Sequence, residues 1–105
     1  MHNLDAFPQI ERIKTLNWIK QSAIVLKPSL RSEDPEEFGA ARYAHKDLVD
    51  RFYSEISDYI PLSQYKAAKR DFEYFLGLID LALAYFADEV GSTGKFNDNL
   101  RGGYP

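Results

Sequence analysis

A chain of 105 residues and 12.1 kDa accommodates one globular domain, and two independent hydrophobic cores are excluded at this size. Hydrophobic residues make up 45% and charged residues 28%, which is typical of a folded protein and excludes an intrinsically disordered one. The net charge of -3 offers no overall attraction to phosphate backbones, and the absence of cysteine excludes disulfides and thiolate metal sites. We therefore expect no nucleic-acid partner.

The first predicted helix opens near Asp5 and Pro8 and ends near Pro28. Proline is tolerated in a first helical turn, where its missing N–H would have no intrahelical partner. Trp18 and Val25 project from a different side than the main apolar face and could contact a neighbouring helix, the tail or another protein. Residues spaced by three or four form that main face and predict its burial: Ile10, Ile13, Leu16, Ile19, Ala23 and Leu26.

The second predicted helix has the clearest start signal in the chain. Asp34-Pro35-Glu36-Glu37 matches an N-cap, a proline at the first helical position and a capping-box glutamate. The helix dipole favours negative charge in this turn, so the acidic cluster is explained without a metal ion. An apolar seam then predicts a helix over residues 35–60, and it consists of Phe38, Ala41, His45, Leu48, Phe52, Ile56 and Tyr59.

The third predicted helix runs from Ser63, a candidate N-cap, to Gly91. Its core face repeats at heptad-like steps and consists of Tyr65, Ala68, Phe72, Phe75, Ile79, Ala82 and Phe86. A second apolar row, about 110° around the helix, consists of Tyr74, Leu78, Leu81 and Tyr85. Since a helix in a three-helix bundle needs one broad apolar face, the second row indicates a fourth element or a partner protein.

These elements predict an all-α fold over residues 1–90, an antiparallel bundle of three long helices that resembles a four-helix bundle. Residues 91–105 are rich in turn formers and predict an irregular tail, which either folds back through Phe96, Leu100 and Tyr104 or forms a docking arm. No stretch approaches the roughly 20 apolar residues of a spanning helix, and the N-terminus lacks the pattern of a secretory signal. We therefore expect a cytoplasmic or already processed chain.

No motif in the sequence specifies a reaction. The Glu-x-x-His pairs of a di-iron bundle and the Gly-x-Ser-x-Gly motif of a serine hydrolase do not occur, and residues 91–95 lack the following helix of a P-loop. We therefore expect no catalytic activity, metal or cofactor. His45 lies in the apolar seam and is interpreted as a hydrogen-bonded core histidine, with a haem or pigment ligand as the alternative.

The segment of residues 65–84 contains Phe72, Phe75-Leu76, Leu78 and Ile79-Asp80-Leu81-Ala82. An N-terminal helical segment, a long aromatic and acidic helix around residues 43–59 and a proline turn precede it. This order of features, over about residues 9–90, resembles the PsbQ-like family of extrinsic photosystem II proteins. The resemblance implies a small lumenal helical bundle, peripheral to the thylakoid membrane, that has no catalytic activity and helps to retain the inorganic ions of oxygen evolution. Family members generally finish with a fourth helix, where this chain has its Gly-rich tail.

The primary hypothesis is a non-catalytic peripheral subunit of a larger membrane-associated complex. Its specific form is an extrinsic subunit of photosystem II in the thylakoid lumen. The alternative is a soluble helical adaptor or regulator that holds a partner helix beside the third helix, or that pairs with a second copy. Because aromatic and large apolar side chains dominate many interfaces, the predicted partner contacts are Trp18, Tyr74, Leu78, Leu81 and Tyr85.

Overall fold

The computed structural model describes the backbone of residues 2–94 and the side chains of residues 8–91. The regular secondary structure of this part of the chain is entirely helical, which confirms the all-α prediction. None of these helices is both long and apolar enough to cross a membrane. The helices are α1 (His2–Ile24), α2 (Lys27–Leu30), α3 (Pro35–Ile56), α4 (Leu62–Arg70) and α5 (Phe72–Gly94). Of the tail predicted for residues 91–105, residues 91–94 belong to α5 instead, and residues 95–105 lie outside the described residues.

The predicted N-cap of α3 is confirmed, but the capping box is wrong. The Asp34 carboxylate accepts the N–H of Glu36 at 3.1 Å. Glu37 does not reach back to Asp34, whose N–H donates to the Ser32 hydroxyl instead. Ser29 in α2 and Ser32 in the following turn place their hydroxyls 2.8 and 2.9 Å from the Glu37 carboxylate, and these hydrogen bonds lower the pKa of Glu37. These hydrogen bonds connect the segment before α3 to the first turn of the helix.

Side-chain pairs show how the long helices run. Lys20 pairs with Asp80 and Arg12 lies over Phe86, so α1 and α5 are antiparallel. Arg12 also pairs with Glu55, and α1 runs antiparallel to α3 as well. In α4, Tyr65 donates to Asp50 and Ala68 accepts from His45, which makes α4 antiparallel to α3. The arrangement is an up-and-down four-helix bundle in which the third position is held by the short α4.

The single third helix predicted from Ser63 to Gly91 is wrong, because the chain reverses at Asp71. This residue is extended, with φ -133° and ψ 112°, and its carboxylate accepts the N–H groups of Glu73 and Tyr74 at 3.0 and 3.2 Å. Asp71 therefore acts as an N-cap for α5. Helix α4 begins after Pro61 without a side-chain cap, so Ser63 is not the N-cap.

One hydrophobic cluster unites α1, α3, α4 and α5. At its centre the rings of Phe52 and Phe75 meet edge to face at 5.5 Å. Most of the predicted core is confirmed, since the buried cluster consists of Leu16, Ile19, Ala23, Leu48, Val49, Phe52, Ile56, Ala68, Phe75, Leu78, Ile79 and Phe86. The burial of these side chains is the main stabilising contribution to the fold.

The ends of the predicted core faces are exposed, because the helices are staggered. Phe38 is 42% exposed, since α5 begins near the level of His45 and covers the first turns of α3 only in part. Tyr59 is 46% exposed, because α3 ends at Ile56 rather than at residue 60 and Tyr59 lies in the following turn. Ile10 is also exposed. Helical spacing identifies the face of a helix but not the length of its neighbours.

Candidate functional site

An apolar groove lies between the C-terminal end of α3, the start of α4 and the second half of α5. We call it the α5 groove. Its volume is about 300 Å³, and it is lined by Ile56, Tyr59, Ile60, Gln64, Leu78, Leu81, Ala82, Tyr85 and Phe86. Gln64 is the one polar amide among these residues. The groove can therefore take up apolar side chains from a ligand or a partner.

The groove lies next to the position that a longer α4 would fill. Helix α4 has 9 residues and α5 has 23, so α4 is about 21 Å shorter at a rise of 1.5 Å per residue. Because α4 runs antiparallel to α5 and starts only at Leu62, no helix within residues 2–94 lies beside the second half of α5 on this side. The second apolar row of α5 is consequently covered by α4 only in part.

Aromatic contacts hold the walls of the groove in place. The ring of Tyr59 meets Phe86 edge to face at 4.9 Å and lies 5.9 Å from Tyr85, and Tyr85 and Phe86 are 4.9 Å apart. The Arg12 guanidinium lies 5.3 Å from the centre of the Tyr59 ring and 5.0 Å from that of Phe86. These edge-to-face and cation–π contacts preorganise the groove before anything binds to it.

The rim of the groove on the α5 side is acidic. The Glu89 carboxylate, which lies one turn after Tyr85, raises the pKa of the Tyr85 hydroxyl through its negative charge. A partner with basic side chains beside its apolar face would therefore be attracted to this rim.

The predicted partner contacts lie at three different places. Leu81 and Tyr85 line the α5 groove and are 69% and 49% exposed, whereas Leu78 is only 7% exposed and forms part of its floor. Tyr74 lies on α5 one turn before Leu78 and does not line the groove. Trp18 is 53% exposed in a shallow depression between α1 and α3, where the Arg51 guanidinium lies 5.7 Å from its ring centre.

The sequence does not predict the groove wall that is formed by residues just before and at the start of α4. The sequence pattern places Tyr59 in the core seam and predicts no partner contact for Ile60 or Gln64. Pro61 is the sequence signal that could have indicated this wall. A helix usually ends before a proline, and the residues on both sides of the resulting turn can then line a groove. The groove itself depends on the reversal at Asp71, which helical periodicity does not reveal.

His45 is the only polar side chain that is buried among residues 8–91, and both of its ring nitrogens are hydrogen-bonded. Nε2 lies 2.9 Å from the Ala68 carbonyl oxygen and Nδ1 lies 2.8 Å from an Arg42 Nη atom. Because the carbonyl only accepts and the guanidinium only donates, the proton is on Nε2 and the ring is neutral. Burial lowers the pKa of His45. The interpretation as a hydrogen-bonded core histidine is confirmed.

The hydrogen bond from His45 satisfies a backbone carbonyl at the C-terminal end of α4. Ala68 is in the last turn of this helix, where backbone carbonyls lack an intrahelical donor, and the chain reversal removes the donor that a longer helix would supply. His45 donates to this carbonyl from α3 and packs on Phe72 and Phe75, with ring centres 5.3 and 5.7 Å away. Among the side chains of residues 8–91, no group of three acidic or histidine residues could hold a metal ion.

Comparisons with protein-family models, with curated proteins and with solved structures found no match to this chain. The resemblance to the PsbQ-like family therefore stays a prediction from the sequence.

Proposed function

We propose that this protein is a non-catalytic helical subunit that docks on a partner protein through the α5 groove. The observation that carries the proposal is the apolar groove beside the short α4, with Leu81 and Tyr85 exposed on its wall. The occupant is an amphipathic helix of the partner, because the groove lies where a helix would complete the four-helix arrangement. Its apolar side contacts Leu81 and Tyr85, and basic residues beside that side face the acidic rim.

The geometry of the groove favours a preformed docking site over a catalytic one. Its lining is apolar apart from the Gln64 amide and the tyrosine hydroxyls, and its aromatic walls are already packed against one another. Both ring nitrogens of His45 are hydrogen-bonded, to Arg42 and to Ala68, and His45 does not line the groove. Large apolar side chains in a preorganised groove contribute most of the binding energy of many interfaces.

Photocrosslinking tests the docking site directly. Replacing Leu81 with a photoreactive phenylalanine analogue in cells should give a covalent adduct with one partner protein, and mass spectrometry should map the crosslink to a helix of that partner. Val25 is the matched control, because it is 70% exposed and Leu81 is 69% exposed, yet Val25 lies in the turn after α1 and away from the groove lining. Equal adducts from both positions, or an adduct only with a second copy of this chain, would contradict the proposal.

The family resemblance supports a more specific proposal, in which the partner is photosystem II and the location is the thylakoid lumen. We expect the purified chain to bind saturably to salt-washed photosystem II membranes and to be released by salt, since exposed charges are screened. Leu81→Asp should weaken this binding by more than about tenfold, because it places a charge against an apolar contact. Val25→Asp should bind like the wild type.

Membranes that still carry their extrinsic subunits are the second control and should bind little of the chain. If the chain does not bind to stripped membranes at any ionic strength, the photosystem II proposal is wrong. The docking proposal is then still tested by the crosslinking experiment, and a cytoplasmic adaptor that holds a partner helix becomes the remaining specific form.

A further inference from the structure

A second concavity lies at the other end of α3, where its first turns meet α2 and the start of α5. We call it the cationic pocket. Its volume is about 340 Å³, which is within the range of small-molecule sites, and the side chains that define its chemistry are Lys27, Arg31, Phe38, Arg42, Phe72 and Glu73. About five helical turns separate Phe38 from Ile56 of the α5 groove, so the two sites are independent.

The charge of this pocket differs from that of the whole chain. Its lining carries three basic side chains and one carboxylate, whereas the chain has a net charge of -3. Among the described residues, Lys27, Arg31 and Arg42 take part in no ion pair. Glu37 lies one residue before Phe38, but its carboxylate accepts from the hydroxyls of Ser29 and Ser32. Within residues 8–91, no ion pair neutralises the three basic groups, and the single Glu73 carboxylate leaves the lining with a net positive charge.

The apolar side chains of the pocket are in part exposed. Phe38 is 42% exposed although its spacing places it on the core face of α3, and Phe72 lines the same pocket from α5. Arg42 is held at the wall by its bond to His45, which limits its side-chain freedom before a ligand binds. A ring between the phenylalanines, with an attached anion beside the basic groups, would satisfy both parts of the lining.

We propose that the cationic pocket binds a small aromatic carboxylate. The carboxylate accepts hydrogen bonds from the basic side chains, with Arg31 as the free guanidinium, and the aromatic body packs on Phe38 and Phe72. Both parts are needed for binding. An aliphatic anion without a ring lacks the apolar contact, and a neutral aromatic amide lacks the charge-assisted hydrogen bonds.

Titration calorimetry with 2-naphthoate tests this inference, with naphthalene-2-carboxamide and acetate as matched ligands. We expect saturable binding of 2-naphthoate that weakens as salt is added, and at least about tenfold weaker binding of the other two. Arg31→Ala and Phe38→Ala should each weaken 2-naphthoate binding by about tenfold. Lys66→Ala removes an exposed lysine from α4, outside the pocket, and should leave the binding unchanged.

Arg31 and Phe38 are both exposed, so circular dichroism should give the wild-type helix content for each variant. Absence of saturable 2-naphthoate binding would overturn the inference. The same holds if the carboxamide binds equally well, or if neither Arg31→Ala nor Phe38→Ala changes the affinity. Loss of partner crosslinking at Leu81 would bear only on the α5 groove, so failure of one site is distinguishable from failure of the other.

Discussion

Phe75→Ala should lower the free energy of unfolding by about 3–5 kcal/mol, which is a large share of the stability of a domain of this size. Phe75 is fully buried and meets Phe52 edge to face, with ring centres 5.5 Å apart. Its ring also packs on His45, whose hydrogen bond supports the end of α4. Removing the ring leaves a cavity where α3 and α5 meet. Urea denaturation followed by circular dichroism measures the change.

Tyr74→Ala is the matched control for Phe75→Ala, because it removes a neighbouring aromatic ring from the same turn of α5. Tyr74 is 38% exposed and is not part of the buried cluster, so we expect a loss below about 1 kcal/mol. Equal losses for the two variants would mean that the core is not centred on Phe75. A small loss for Phe75→Ala alone would contradict the tight packing between α3 and α5.

His45→Leu should lower the free energy of unfolding by about 1–3 kcal/mol at pH 8, although leucine is apolar and of similar size. The substitution leaves the Ala68 carbonyl without its donor from α3 and removes the acceptor of the Arg42 bond. His45→Gln should recover part of the loss, since its amide can still donate to that carbonyl. Denaturation at pH 8 compares the three proteins.

The same residue should make the stability of the wild type depend on pH. Burial lowers the pKa of His45 in the folded state, and the charges of Arg42 and Lys46 on α3 act in the same direction. The Ala68 carbonyl and Asp71, at the junction of α4 and α5, oppose this shift. Since the unfolded state binds the proton more readily, the stability contribution is complete above the ordinary pKa of about 6.5 and decreases as the pH falls below it.

Denaturation between pH 8 and pH 5 checks this dependence, with His45→Leu and His45→Gln as controls that keep every carboxylate. The stability difference between the wild type and His45→Leu should be largest at pH 8 and should decrease steadily below about pH 6.5. A difference that stays constant over this range would show that His45 titrates alike in the folded and unfolded states. The buried neutral ring would then be the wrong assignment.

Local signals in the sequence were sufficient for much of the fold. Proline, glycine and helical spacing identified the helical class and the positions of α1 and α3, and Asp34 was identified as an N-cap because its role depends only on nearby backbone groups. The core residues Leu16, Phe52, Phe75 and Phe86 were found because each lies at the centre of a helical apolar face.

The reversal at Asp71 was missed because both helices that meet there face the same core. Tyr65, Ala68, Phe72 and Phe75 keep steps of three and four through the reversal, so periodicity alone predicts one continuous helix. Asp71, followed by Glu73, is itself an N-cap signal for α5, and the basic pair Lys69-Arg70 marks the last turn of α4. The apolar pattern obscured these signals.

The sequence by itself therefore determined the helical class, the inner face of each long helix and the apolar row on α5 that includes Leu81 and Tyr85. Only the tertiary structure decided that α4 is short, that Phe38 and Tyr59 are exposed, and that these features leave a groove at one end of α3 and a cationic pocket at the other. The physical reason is that hydrogen bonds and spacing within a helix act over a few residues. The length and stagger of neighbouring helices depend on contacts between distant residues, such as the bond from His45 to Ala68.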